Sequence, residues 1–334
     1  MPVNTLIPDR KKQTLMSDTS LTPVRVIAFP GAPNLPTFAA IELGFFKAEG
    51  IAVDLTMTGS SVEQARRTAD GEFDIICTAF DNVVAYSEGQ GAAGLDVNPD
   101  YVVISGATQL ELSLIVSPEI KAFANLKGNT LALDALATGF AFVLDEMLTQ
   151  AGIDKNECPY VAVGATPQRW QSVKAGDHAG TLTIEPFTSI AQKSGFSVLQ
   201  RSSDLFKSYQ GGVVATRRST LAQSSGKVSG FLRGYLRAVA WVLDPENRAS
   251  AETILQHQMP EIQPFALKSV MNSLLAPSSG LTPRGAVLPE GMDKVLDLRS
   301  KYGSGIVALT NHKKYLDLTL HQEIVDGKAT GGAN

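Results

Sequence analysis

The stretch VRVIAFPGAPNLPTFAAIELGFFKAEGIAVDLTMT, from Val24 to Thr58, decides the fold class. It opens with the apolar run Val24–Phe29, which predicts a buried strand. A loop rich in proline leads into a helix that we expect to begin near Pro36 and to end at Gly50, because glycine commonly terminates helices. The run Ile51–Thr58 then predicts a second strand. The stretch therefore forms a strand, a loop, a helix and another strand.

The same alternation of strands and helices continues along the chain. Residues 73–80 predict a third strand, and a second series of strand candidates lies between about residues 110 and 199. A helix is expected there from about Gly139 to Ala151. After residue 216 the apolar residues recur at a spacing of three or four, which is typical of helices. Strands that alternate with helices predict an α/β fold with parallel sheets covered on both faces.

The order of these segments predicts two lobes. A chain of 334 residues is too long for one ordinary hydrophobic core. We expect a flexible leader over residues 1–23, a first lobe from residues 24–108 and 212–334, and a second lobe inserted at residues 109–211. Two segments must then cross between the lobes, near Thr108–Leu112 and Tyr209–Val213. A pair of crossings forms a hinge, and the cleft beside it is the expected binding site.

Composition excludes several classes of function. The net charge is -4 and the sequence has no cluster of lysine or arginine, so we expect no nucleic acid as a partner. The two cysteines, Cys77 and Cys158, lie far apart, and the four histidines are scattered. This spacing predicts no disulfide framework, no metal site and no cofactor.

The N-terminal residues bear on the compartment. Residues 1–23 are polar and contain no apolar run of the kind that a secretory signal requires. No stretch of the chain approaches eighteen continuous apolar residues, so we expect a protein that does not span a membrane. The expected location is periplasmic if a leader has been removed and cytoplasmic if the leaderless start is native.

The loops that follow the predicted strands contain the candidate ligand-binding residues of the first lobe. In open α/β sheets, ligands bind beyond the carboxyl ends of the strands. The residues selected by this rule are Asn34, Thr37, Ser60, Ser61, Thr78 and Asp81. The turn Gly59-Ser60-Ser61 at a helix start offers backbone N–H groups and hydroxyls, which suit an anionic group. The alternative is that the serine is an ordinary helix N-cap.

The second lobe contributes an equivalent set. Its candidate residues are Asp134, Thr138, Gly139, Phe140, Glu185 and Phe187. Thr138 and Gly139 begin a helix and are expected to repeat the anion-binding arrangement, while the two phenylalanines pack on an apolar part of the ligand.

The carboxylates among these candidates complicate a purely anionic ligand. If more than one of Asp81, Asp134 and Glu185 faces the cleft, the ligand must also carry a donor or a cationic nitrogen. The alternative for each is helix capping or a bond that closes the lobes. We expect Arg169 and Trp170 to be surface and packing residues.

Three segments resemble a known family. The stretch that begins at Pro36 is similar to the first loop, helix and second strand of ABC-importer solute-binding proteins for sulfonates, taurine, nitrate and thiamine precursors. FANLKGNTLALD (Phe123–Asp134) and QSVKAGDHAGTLTIEPF (Gln171–Phe187) resemble the family's second lobe. The resemblance implies a type II periplasmic-binding-protein fold with two α/β lobes joined by a two-segment hinge. It also implies a small-molecule ligand between the lobes and, if the protein is exported, an ABC permease as partner.

The alternative function is a cytoplasmic enzyme on the same fold. Desulfinase-like, decarboxylase-like and thiamine-pyrimidine-synthase-like enzymes act on small aromatic or heterocyclic substrates. The desulfinase-like enzymes carry a nucleophilic cysteine in the first strand-loop, where this chain has Phe29-Pro30-Gly31. Cys77 remains as a candidate nucleophile, although its apolar strand favours a buried position. We therefore expect capture of a small, anionic organic molecule (a sulfonate, a carboxylate or a heterocycle) and assign no catalytic residue.

Overall fold

A computed structural model describes residues 21–304 and 308–327 and has a mixed α/β architecture with two five-stranded sheets. Its strands are β1 (Thr22–Ala28), β2 (Ile51–Met57), β3 (Ile75–Ala79), β4 (Tyr101–Thr108), β5 (Ser113–Val116), β6 (Leu131–Leu133), β7 (Tyr160–Ala162), β8 (Gly180–Thr183), β9 (Ser197–Arg201) and β10 (Gly212–Arg217). Most of the predicted leader, residues 1–20, lies outside the described residues. The first strand begins two residues before the predicted start at Val24.

Helices surround both sheets. They are α1 (Leu35–Glu42), α2 (Phe45–Ala48), α3 (Ser61–Ala69), α4 (Phe80–Ser87), α5 (Gly139–Gln150), α6 (Thr166–Ala175), α7 (Phe187–Lys193), α8 (Arg218–Gln223), α9 (Ser225–Leu243), α10 (Arg248–Gln258), α11 (Pro264–Leu274), α12 (Pro289–Tyr302) and α13 (Thr319–Val325). The helix predicted from Gly139 to Ala151 is confirmed as α5. The single helix predicted from Pro36 to Gly50 is wrong, because Gly44 adopts a left-handed conformation (φ 72°) that separates α1 from α2.

The sheets are mixed, so the prediction of parallel sheets is confirmed for the pairs β1–β2, β1–β3, β6–β7 and β6–β8 and is wrong for the pairs formed by β10 and β5. The first has the strand order β2-β1-β3-β10-β4, and the second has the order β7-β6-β8-β5-β9. Strand β10 runs antiparallel to β3 and β4, and β5 runs antiparallel to β8 and β9. The cause lies in the connections: the chain leaves the first sheet along β4 and returns along β10, so the two strands point in opposite directions.

Two adjacent segments connect the sheets. One runs from β4 to β5, and the other runs from β9 to β10. The amide of Gly211 donates to the carbonyl of Gln109 at 3.1 Å, and the amide of Ser202 donates to the carbonyl of Leu112 at 2.8 Å. A Cβ atom at Gly211 would lie 2.3 Å from the Cβ of Leu110, so the close approach requires glycine.

We call the part of the chain around the first sheet the first lobe and the part around the second sheet the second lobe. The predicted lobe boundaries at residues 108 and 211 remain predictions, and they coincide with the end of β4 and the start of β10. A large hydrophobic core extends across both lobes and includes side chains of α12. This helix contacts α4 of the first lobe and α5 of the second.

Candidate functional site

A cavity of about 110 Å³ lies between the two lobes. Its walls come from the carboxyl ends of β3 and β4, from the loops and helix starts that follow β1, β3, β4, β6, β7 and β8, and from the start of β10 and one residue of α9. The position agrees with the rule that ligands bind beyond the carboxyl ends of sheet strands. For comparison, an engineered cavity of about 150 Å³ binds benzene. A volume of this order can hold a small organic molecule.

Most of the predicted ligand-binding residues line this cavity. They are Asn34, Thr37, Thr78, Asp134, Thr138, Gly139 and Phe140. Thr78 lies within β3, and the others lie in a loop after a strand or at a helix start, where the sequence placed them. Their roles as ligand contacts remain predictions.

The serine turn at the start of α3 does not line the cavity. The Oγ of Ser60 accepts from the amide of Glu63 at 3.1 Å, which is an ordinary helix N-cap. The carboxylate of Glu63 accepts from the amide of Gly59 at 2.9 Å. The amide of Ser61 donates to the carboxylate of Asp134, at 3.0 Å to Oδ2 and 3.3 Å to Oδ1. The backbone groups expected to hold an anion are therefore engaged by two carboxylates of the chain itself.

Asp81 also lies outside the cavity lining. Its carboxylate accepts two hydrogen bonds from Arg299 of α12, from Nε at 2.7 Å and from Nη2 at 2.6 Å. Both side chains are 1% exposed. Arg299 also donates to the carbonyl of Ala137 in the second lobe at 3.3 Å. This buried, bidentate ion pair joins α4 to α12 within the first lobe and leaves no free carboxylate for a ligand, and the bond from Arg299 to Ala137 links it to the second lobe.

Glu185 and Phe187 occupy structural positions as well. The carboxylate of Glu185 accepts from the amide and the hydroxyl of Ser189, at 3.2 Å and 2.9 Å, at the start of α7. Burial raises the pKa of Glu185, and the hydrogen bonds from Ser189 partly offset that rise. The ring of Phe187 packs in the small core of the second lobe with Trp170. In this loop Ile184 lines the cavity instead.

Arg169 lines the cavity, which the sequence analysis did not expect. Its side chain is 1% exposed, and its guanidinium lies over the ring of Phe140 at 5.4 Å from the centroid. Burial lowers the pKa of Arg169 to about 10, and the nearby charge of Asp134 opposes that decrease. The sequence offered no local signal for this role, because an arginine in the first turns of a helix most often faces water.

Unpaired hydroxyl groups face the cavity from the first lobe. Thr37 of α1 and Tyr235 of α9 line the cavity and are each 2% exposed, and their hydroxyls form no hydrogen bond within residues 21–304 and 308–327. Buried polar groups normally find partners. A ligand with hydrogen-bonding groups would provide them. Tyr235 was missed from the sequence because it lies on a helix far along the chain, outside the loops that follow strands.

Direct backbone hydrogen bonds join the lobes around the cavity. The amide of Ala32 donates to the carbonyl of Glu185 at 3.0 Å, and the amide of Ala165 donates to the carbonyl of Gly59 at 2.9 Å. At the start of α5, a Cβ atom on Gly139 would lie 2.7 Å from the Cβ of Asp81. The structure is therefore a closed form in which the two lobes are in contact.

Cys77 contributes to the cavity wall, but its environment does not favour reactivity. Burial raises the pKa of this thiol to about 12, so the thiolate is scarce at neutral pH. In the described part of the chain, no group of three or more His, Cys, Asp or Glu side chains is placed to bind a metal ion.

Comparison with known proteins identifies relatives of this fold. A protein-family model described as the NMT1-like family matches residues 18–256. The nitrate-binding protein NrtA from Synechocystis PCC 6803 is 12% identical with a TM-score of 0.77, and the match covers 92% of this chain and 89% of that one. The aliphatic sulphonate binding protein SsuA from Escherichia coli is 17% identical with a TM-score of 0.65, covering 89% and 92%.

A fungal protein is also similar. The Candida albicans CA3427 gene product, described as having the generic periplasmic binding protein structural fold, is 13% identical with a TM-score of 0.68, and the match covers 92% of this chain and 95% of that one. At these identities the likeness establishes the periplasmic-binding-protein fold, as the sequence predicted. A search of curated proteins finds no significant match. Among the described helices, none has the length and apolar character needed to cross a bilayer.

Proposed function

The chain belongs to the NMT1-like family, and we propose that it is a solute-binding protein that captures a small organic molecule between its lobes. The observation that carries the proposal is the interlobe cavity, which is lined from both sides and contains the unpaired hydroxyls of Thr37 and Tyr235. Closed cavities with a few polar groups are typical of small-molecule binding sites.

Capture would proceed by closure of the lobes. Contacts from both lobes exist together only in the closed form, so a ligand that uses both favours closure by its difference in affinity for the two forms. The bonds from Ala32 to Glu185 and from Ala165 to Gly59 would add to this preference. Release would require these bonds to break as the crossing segments bend.

The partner and the compartment follow from the same proposal. The similar proteins NrtA and SsuA are described as periplasmic binding proteins. By analogy, the chain would work in the periplasm and would deliver its ligand to an ABC permease. The anionic ligand expected from the sequence remains a prediction, because the site combines helix N-termini, which favour anions, with the carboxylate of Asp134, which opposes them.

A ligand screen tests the proposal. The protein would be screened by thermal shift against small carboxylates, sulfonates, amides, amines and single-ring heterocycles, with mass spectrometry of each hit after incubation. A hit that raises the melting temperature and is recovered intact supports capture. A hit that is consumed with turnover contradicts capture and favours an enzyme.

A matched pair of variants locates the binding. The double variant Thr37→Val, Tyr235→Phe removes the unpaired hydroxyls without leaving other groups unpaired. Two hydrogen bonds to the ligand at about 0.5–1.5 kcal/mol each predict an affinity loss of about 5- to 150-fold. The control Thr253→Val lies on the exposed surface of α10 and should bind the hit as the wild type does. Equal affinity in all three proteins would place the ligand elsewhere.

A further inference from the structure

We infer that Asp134 determines ligand specificity, by excluding anions and by selecting a neutral or cationic molecule with an N–H donor. The inference rests on the proposed capture function. Asp134 follows β6 in the second lobe and lines the cavity. A carboxylate has about four acceptor positions. The described residues supply one donor, the amide of Ser61, so the remaining positions are available to a donor on the ligand.

The backbone amides at the start of α3, which the sequence predicted as an anion site, are not free to bind an anion. The amide of Gly59 is bound by Glu63, and the amide of Ser61 is bound by Asp134. Asp134 reaches this position from the opposite lobe, so closure itself brings a carboxylate to the helix start. An anionic ligand would have to displace that carboxylate and would then lie beside it.

Arg169 has no free pair of N–H groups with which to bind an anionic ligand. Its Nε donates to Thr181 at 3.1 Å and its Nη1 donates to the carbonyl of Gly164 at 2.8 Å. Its Nη2 donates to Thr166 and to the carbonyl of Leu182, both at 3.0 Å. A guanidinium has five N–H donors in all. Arg169 is thus built into the wall, and it cannot form the bidentate pair by which arginine usually recognises carboxylates.

The remaining polar groups define the rest of the ligand. Thr138 donates its hydroxyl to the carbonyl of Ala135 at 3.2 Å and does not cap α5. The first amides of α5 can therefore bind an uncharged acceptor atom, such as a carbonyl or ring nitrogen. The ring of Phe140 offers an apolar surface beside them. The site fits a small molecule with an N–H donor and an uncharged acceptor.

Three probes of one shape and different charge test this assignment. Benzamidine is a cation, benzamide is neutral and benzoate is an anion, and each would be titrated by isothermal calorimetry into three proteins. These are the wild type, Asp134→Asn and the control Glu63→Gln, which removes a carboxylate at the start of α3 that does not line the cavity. Asparagine keeps an oxygen that can accept from Ser61, so closure is retained.

The expected order of affinity in the wild type is benzamidine, then benzamide, with benzoate at least tenfold weaker than benzamide. Asp134→Asn should weaken benzamidine at least tenfold and strengthen benzoate, while Glu63→Gln keeps the wild-type order. The assignment is overturned if benzoate binds the wild type as tightly as benzamide, if none of the probes binds, or if Asp134→Asn leaves their relative affinities unchanged.

The wild-type order is decisive even if Asp134→Asn fails to fold. Failure of this inference can also be separated from failure of the proposed function. An anionic screen hit recovered intact leaves capture standing and overturns the role of Asp134. A hit that is consumed overturns capture, whatever the order of the probes.

Discussion

Gly139 provides the sharpest test of lobe closure. It begins α5 in the second lobe and faces Asp81 of α4 in the first. In Gly139→Ala the new methyl carbon would lie 2.7 Å from the Cβ of Asp81 and 3.0 Å from its Cγ. Asp81 cannot rotate away, because Arg299 holds its carboxylate by two hydrogen bonds. Only movement of the lobes can relieve the contact.

The free-energy cost of closing the lobes in Gly139→Ala follows from this distance. Carbon atoms in favourable contact lie about 3.5–4.0 Å apart, so α4 and α5 must separate by about 1 Å. Overpacking of this kind costs about 1–3 kcal/mol. A cost of that size lowers the equilibrium constant for closure by a factor of about 5 to 150. Alanine suits the start of a helix at least as well as glycine, so the open form should be no less stable.

Small-angle X-ray scattering and calorimetry measure the effect. We expect Gly139→Ala to have a larger radius of gyration than the wild type and to bind the screen hit about 5- to 150-fold more weakly. Gly226→Ala is the matched control, because a Cβ atom on Gly226 in α9 would meet no heavy atom within 4 Å. If Gly139→Ala retains the wild-type radius and affinity, the two lobes do not need to approach as closely as the structure has them, and the account of closure is wrong.

Other predictions concern buried charges and the thiol. Arg299→Met leaves Asp81 buried without its partner and should lower the free energy of unfolding in urea by about 3–5 kcal/mol; an unchanged value would contradict the ion pair. Burial raises the pKa of Cys77 from 9.0 to about 12, so its labelling by a thiol reagent at pH 8 should be about a thousandfold slower than that of a free cysteine, and fast labelling would refute this. Burial alone would raise the pKa of Glu146, but hydrogen bonds from Lys301 and Tyr302 outweigh this effect and lower the pKa to about 2. The stability that Glu146 contributes is complete above pH 4.5 and is lost as the pH falls towards 2; a Glu146→Gln variant should lack that dependence.

The sequence predicted the features that a local pattern of residues determines, namely the strands, one helix and part of the cavity lining. Apolar runs and turn residues located the strands, and the rule for open sheets then placed Thr37, Asp134 and Phe140 at the cavity. The helix beginning at Gly139 was recognised because its apolar spacing and its ends are both encoded within a dozen residues. Secondary structure is predicted correctly where the pattern that determines it lies within one segment of the sequence.

Some failures have a local cause, such as the left-handed Gly44 and the hydrogen bonds from Ser189 to Glu185, but those at Asp81 and at the start of α3 come from pairing between distant residues. The partner of Asp81 lies 218 positions away on α12, and no local pattern indicates that Arg299 will reach it. Asp134 and Ser61 are 73 positions apart, and they meet only because the lobes close. Tertiary contacts of this kind turned predicted ligand-binding groups into groups that hold the protein together.

Hydrogen exchange at the interlobe amides reports directly on closure of the lobes. The amides of Ala32, Ser61 and Ala165 each donate to an acceptor in the opposite lobe, so they are protected only when the lobes are closed. We predict that a saturating screen hit slows exchange at these amides, while the amide of Val239 in the middle of α9 exchanges at the same rate with and without it. Unchanged exchange at Ala32, Ser61 and Ala165 in the fully bound protein would contradict capture by closure of the lobes.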